Sequence, residues 1–146
     1  MSNYDIQQAM DDLINALLTY EPLTAFCLEK WSKGLQVKQV YKKRTELSAS
    51  DDLPIILVVW PGDTEEDSID THLIKLHAVF HQEDAELGAQ DTISLQRLIR
   101  AAIMQEKTRN KYALFTRKGG VATDEGKFHP FYASTREVEL ELPTYD

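Results

Sequence analysis

A chain of 146 residues with a formal net charge of −8 is the size of one domain, expected over residues 1–146, and buries roughly two-thirds of its unfolded surface. The acidity argues against a DNA- or RNA-coating role, because such affinity comes mostly from Lys and Arg neutralising phosphates. The lone Cys27 excludes an internal disulfide, and no apolar run approaches the roughly 20 residues that span a bilayer.

Met1–Asp5 has neither the basic region nor the apolar core of a signal peptide, so a soluble protein that stays in the cytoplasm, with no membrane partner, is expected. From Ile6 the apolar residues Ile6, Met10, Leu13, Ile14 and Leu17 recur at helical spacing with polar residues between them, which predicts an amphipathic helix. Pro22 suits the first turn of a second helix whose face carries Leu23, Phe26, Cys27, Lys30 and Trp31, with Gly34 as its stop. A single kinked helix is the alternative. Cys27, inside this apolar pattern, is expected to be a buried and inert thiol.

Leu35–Arg44 mixes β-branched and aromatic residues with charges and reads as an exposed strand near a sheet edge, followed by a turn over Thr45–Asp52. Leu53–Trp60 is the most strand-like run in the chain. Its continuous apolar interior predicts a central strand covered on both faces, with Pro54 tolerated only at its start. Pro61-Gly62-Asp63 is expected to break this strand, and Glu65, Glu66, Asp67 and Asp70 to form a solvated acidic connection.

In His72–His81 the residues Ile74, Leu76, Ala78 and Phe80 alternate with Lys75, His77 and His81, predicting a strand with one core face. Gln82–Gln90, which contains Gly88, reads as a loop. Asp91 or Thr92 then caps a helix whose stripe is Leu95, Leu98, Ile99, Ala102 and Ile103. Short strands are expected at Tyr112–Thr116 and Phe128–Ala133, around a stretch containing Gly119, Gly120 and Gly126. A last one, Arg136–Leu142, alternates Val138, Leu140 and Leu142 with Glu137, Glu139 and Glu141, and Pro143 ends it. The fold class is therefore α+β: an antiparallel or mixed β-sheet with one or two N-terminal helices and one later helix packed on one face.

Chemistry is sparse along this chain. His77 and His81 share a strand face but stand about 13 Å apart, too far for one zinc ion, and His72 points the other way. These histidines, with His129, are expected at the surface, and no metal is assigned to them. A nucleophile elbow, a Cys–His signature, a glycine-rich phosphate loop and a calcium-loop order in Asp63–Asp70 are all missing from the sequence. Trp31 and Trp60 are expected to pack in the core, with interface anchoring as the alternative.

Charge is unevenly spread. Arg97–Lys118 holds seven basic residues (Arg97, Arg100, Lys107, Arg109, Lys111, Arg117, Lys118) and one acidic residue, Glu106, a net of +6, which leaves −14 on the remainder. Such a division suits an acidic partner surface, or is merely a solvated face. The outer row of Glu137, Glu139 and Glu141 would fit the basic window of a neighbouring copy, a head-to-tail contact that closes into a ring when its rotation allows.

The order of these elements resembles the tail terminator, or minor tail protein, family of long-tailed bacteriophages and prophages. The matching features are the helix from Ile6, Asp52-Leu53-Pro54-Ile55-Ile56-Leu57-Val58, the strand Thr71-His72-Leu73-Ile74-Lys75-Leu76, the helix Thr92–Glu106 and the terminal strands. The resemblance covers nearly the whole chain and rests on layout more than on local motifs. It implies a structural protein, not an enzyme and without a cofactor, that forms a ring, typically hexameric, at the head-proximal end of the tail tube. Its partners would be copies of itself, the tail tube protein and head-completion proteins, close to DNA, in a virion tail assembled in the cytoplasm of a bacterial host. Interface or channel-facing candidates are Lys42, Lys43, Arg44, Arg97, Arg100, Lys107 and Arg109. The competing expectations are an acidic adaptor or immunity-type protein that holds a basic partner, and an enzyme whose site is dispersed along the chain.

Overall fold

The computed structural model describes residues 4–66, 69–109, 114–116 and 120–143, with the side chains of 66, 107–109, 114–116 and 143 outside that description. The fold is α+β. Helices α1 (Ile6–Thr19) and α2 (Glu21–Trp31) come first, then strands β1 (Gln36–Lys38), β2 (Ile55–Glu66) and β3 (Ile69–His81). Helix α3 (Ala85–Arg109) precedes β4 (Leu114–Thr116), β5 (Val121–Thr123) and β6 (Phe131–Pro143).

Asp5 starts α1 through a capping box: its carboxylate accepts from the Gln8 backbone N–H while the Gln8 side chain accepts from its own. Tyr20 is extended and separates α1 from α2, so they are two helices, with Pro22 in the first turn of the second. Gly34 is not the stop. Ser32 ends α2 in the left-handed conformation, at φ 55°.

The sheet is mixed. Its order is β1-β2-β3-β6-β4, with β1 parallel to β2 and the other pairs antiparallel, and β5 also pairs with β6. Residues 35–44 supply only the three-residue edge strand β1, because a 3-10 turn at Arg44–Glu46 and the segment after it fold across the sheet. β2 lies inside the sheet as expected, with Ile56 and Val58 buried on one face and Ile55 and Leu57 on the other.

Several boundaries differ from those read in the sequence. Pro61-Gly62-Asp63 does not end β2: the register shifts between Val59 and Gly62, a bulge in which Trp60 and Pro61 together oppose Ile74. Proline is tolerated there because its missing N–H removes no ladder bond, and Gly62 takes a φ of 146° that a side chain disfavours. The strand then runs on to Glu66, and the acidic stretch expected as a connection forms the two sides of a hairpin, with Asp63 opposite His72 and Glu65 opposite Asp70.

Helix α3 starts at Ala85, inside the segment read as a loop. The Leu87 N–H donates to the Asp84 carboxylate, so the cap is Asp84, while Asp91 and Thr92 are buried within the helix. Gly88 is tolerated there because it faces the Tyr132 ring, leaving no room for a Cβ. Finally, the two strands expected over 128–142 are one, β6, which pairs with β3 without interruption from His81↔Phe131 to Ile69↔Pro143.

All three helices pack on one face. The main core joins Met10, Leu13, Leu17, Leu23 and Cys27 with Leu95, Ile99 and Ile103, over Ile74, Leu76, Ala78, Phe80, Val138 and Leu140. Phe80 stacks on Tyr132 at 5.4 Å and lies 4.8 Å from Trp31, tying α2 to the sheet centre. Lys30 Nζ pairs with the buried Asp91 at 3.2 Å, joining α2 to α3, and Gln96 donates to Ser134 and accepts from Arg136 Nε, joining α3 to β6. On the other face a smaller cluster of Leu47, Leu53, Ile55, Leu57 and Val79 is closed by the segment around residues 47–53.

Replacing Gly88 tests this packing. In an open helix Gly→Ala gains about 1 kcal/mol, but against Tyr132 the added Cβ is overpacked, so Gly88→Ala is expected to lower stability by about 1–3 kcal/mol in urea unfolding.

Candidate functional site

The second face of the sheet is covered over only half its length. Beyond the bulge, β2, β3 and the C-terminal half of β6 carry on as a ribbon, and no described segment lies over its face turned away from the helices. Strand alternation sets Thr71, Leu73, Glu139 and Glu141 on that face. With Pro61, Gly62, Asp63 and Thr64 they line an open hollow of about 630 Å³. Its floor is Thr71 and Leu73, with the carboxylates of Glu139 and Glu141 along its β6 side. Ile69, 44% exposed, lies on the same face.

The basic candidates fall elsewhere. Arg97 and Arg100 are exposed on α3, in one outward stripe with Ile93, which is 60% exposed. Their backs, Leu95, Ile99 and Ile103, are in the core, so the charges face away from the sheet on the opposite side of the molecule from the hollow. Lys107 and Arg109 belong to the last turns of α3, but their side chains lie outside the described residues, as do Lys111, Arg117 and Lys118 altogether. Glu106, the acid of that window, is buried. The second basic group sits at the other end of the sheet: Lys43 is exposed, Lys42 is half-buried, and the Arg44 guanidinium lies over the Phe128 ring at 3.8 Å. The fold therefore does not bring the two basic groups together.

Two residues expected in other environments meet on the helix side of the ribbon. Trp60, expected in the core, is 44% exposed, while His72, expected at the surface, is 4% exposed. Trp60 Nε1 donates to His72 Nδ1 at 3.1 Å. Alternation keeps Trp60 on the face of Ile56 and Val58, where its indole lies over His72, and the bulge after it sets Asp63 opposite that histidine. Asp63 and Asp70 stand beside them, each offering an atom within 4.8 Å of the other and of the histidine.

This group is not a built metal site. An Nδ1 that accepts from the indole leaves the proton of neutral imidazole on Nε2, and a ligating nitrogen must offer a free lone pair. His72 Nδ1 is therefore committed to the indole. Millimolar zinc or magnesium is accordingly expected to leave the melting temperature unchanged, whereas a rise of several degrees that His72→Ala abolishes would show ligation.

Other groups are structural. Cys27 is fully buried, and burial pushes its thiol pKa up to about 12, so it is not a nucleophile. His129 Nδ1 contacts the Tyr132 hydroxyl at 2.8 Å at the side of a cleft of about 370 Å³ between α3 and the turn Thr123–Gly126. Asp124, in the same cleft, spends its carboxylate on the Gly126 and Ala133 N–H groups.

Local periodicity did not single out Thr64, Thr71 and Leu73 as one surface. The signal that was available is the alternation in β6, whose outer row of glutamates marks an open sheet face. No protein-family model matches the chain, and no curated protein matches it.

His77 offers a pH test of the covered half of this face. It is half-buried beside Tyr41 and bonds Thr135 Oγ1 at 2.7 Å. Desolvation, and then the charge of Lys75, lower its pKa below the ordinary 6.5. The unfolded chain then binds the proton more readily, so stability rises with pH between the folded value and 6.5 and is lost on acidification through that window. His77→Gln is expected to flatten the loss in chemical denaturation between neutral pH and pH about 5.

Proposed function

We propose that this protein is a structural, non-enzymatic component of a long-tailed phage or prophage, of the tail-terminator type, acting as an oligomeric ring that caps the tail tube and presents a joining surface to the head. The observation that supports this most is the uncovered ribbon face with its acidic hollow, on the opposite side of the molecule from the exposed Arg97 and Arg100. A monomer with two unlike charged faces is suited to head-to-tail contacts, which close into a ring when their rotation allows. The partners in this reading are further copies of the chain, the tail tube protein and a head-completion protein, with no cofactor involved.

The same hollow favours one competing reading, an adaptor that holds a basic partner. Assembly of the chain with itself separates the two. Light scattering over a protein-concentration series at low salt is expected to give a species several times the 16.7 kDa chain, about 100 kDa for a hexamer, that shrinks as salt screens the contacts. A chain that stays monomeric up to its solubility limit, and does not bind the assembled tail tubes of its own phage, overturns the proposal.

A further inference from the structure

The cleft of about 370 Å³ lies at the opposite end of β6 from the hollow, between the first turns of α3 and the turn that follows β5. Its helix wall is Ala85, Ala89 and Ile93, and the buried Tyr132 ring closes its base, with the hydroxyl held by His129. Glycine lets both walls approach that ring: a Cβ on Gly88 would overlap it, and one on Gly126 would touch it at 3.4 Å. A concave space of this size with apolar walls and a few polar groups is the usual form of a small-molecule site.

The charged groups of the cleft are of one sign. Asp124 and Glu125 line it, and among the described residues no Lys or Arg does. Asp124 is committed to the N–H groups of Gly126 and Ala133, whereas the Glu125 carboxylate has no partner among the described residues. Glu125 also stands where the backbone disfavours it. The Lys127 N–H donates to the Asp124 carbonyl at 3.1 Å, and Glu125 and Gly126 between them have φ of 58° and 75°, the two positive angles of a type I′ turn. Asn, Asp or Gly is favoured at the first of these positions, and a glutamate is strained there with no side-chain hydrogen bond to offset it. What glutamate adds is reach, a carboxylate carried farther from the turn at the edge of the cleft.

We propose that this cleft binds a small organic ammonium, a protonated amine on an apolar or aromatic body, with the body against Ala89, Ile93 and Tyr132 and the nitrogen paired with Glu125. An anion of the same shape meets two acids, and a neutral ligand leaves the Glu125 carboxylate unpaired as its surroundings lose water. A bare metal ion finds one free carboxylate where it needs several oxygens. The site uses neither the hollow nor Arg97 and Arg100, so it stands or falls separately from the ring reading.

Amide NMR of the whole chain at neutral pH, titrated with phenethylammonium chloride, is expected to give saturable shifts at Ala89, Thr92, Glu125 and Gly126 with a dissociation constant of about 1 mM or tighter. Phenethyl alcohol, the same body without the charge, is expected to bind at least about fivefold more weakly, and phenylacetate not to saturate. Glu125→Gln keeps the size and removes the charge, and is expected to weaken amine binding about tenfold. Glu125→Asn is expected to weaken it as much while raising the melting temperature by about 1–3 °C, because asparagine suits the left-handed position. Ala89→Phe, on an exposed turn of α3, fills the cleft and is expected to abolish the shifts. The proposal is overturned if the wild type shows no saturable shift up to about 20 mM amine, or if the alcohol binds as tightly as the amine. Binding that survives Ala89→Phe, or that Glu125→Gln leaves unchanged, overturns it equally.

Discussion

The antiparallel pairing of β3 with β6 is the constraint on which the rest of the molecule depends. It is unbroken from His81↔Phe131 to Ile69↔Pro143, and every other strand but β1 attaches directly to one of these two. Side chains alternate along both strands, so one ladder produces two surfaces. One row, with Ile74, Leu76, Phe80, Val138 and Leu140, is the floor on which all three helices pack. The other, with Thr71, Leu73, Glu139 and Glu141, is the open face proposed to meet a neighbour. A one-residue slip would exchange the rows, burying glutamates and exposing the core, and register is therefore strongly specified.

Helices and loop divide the two faces unequally. The helix layer seals one side, whereas the segment around residues 47–53 closes only the near half of the other, over Ile55, Leu57 and Val79. Burying the glutamate row beneath more chain would require partners for each carboxylate, an expensive arrangement without paired cations. Leaving it open to water costs nothing, and a second molecule can supply the cations. In this way the half-covered sheet and the bare basic stripe of α3 are two aspects of one charge distribution.

The bulge at Trp60 and Pro61 joins stability to the open surface. It lets β2 continue past a proline directly after Trp60, whose indole N–H donates to His72 Nδ1. His72 in turn is buried beside Asp63 and Asp70, where the helix layer ends. Because its Nδ1 lone pair is taken by the indole N–H, the cluster is read as part of the hairpin's packing and not as a metal centre.

What the sequence determined by itself are the features fixed by local periodicity and composition. The α1 stripe, the buried run Ile55–Val58, the alternation of β3, the Leu95–Ile103 face of α3 and the glutamate row of β6 all follow from apolar residues at spacings of 3.6 or 2, which hold wherever the element lies. The α+β class followed from their order. Features that depend on a distant partner were decided only by the tertiary structure. Gly88 reads as a loop residue until Tyr132 is found to require a residue without a side chain there, and Pro61 reads as a break until Ile74 is seen opposite the bulge. His72 is a surface histidine by pattern and a buried one by contact. The candidate surface is divided in the same way: the acidic row and the basic helix were legible separately, but that they occupy opposite sides of one sheet, one bare and one built on helices, is a fact of packing that no local window contains.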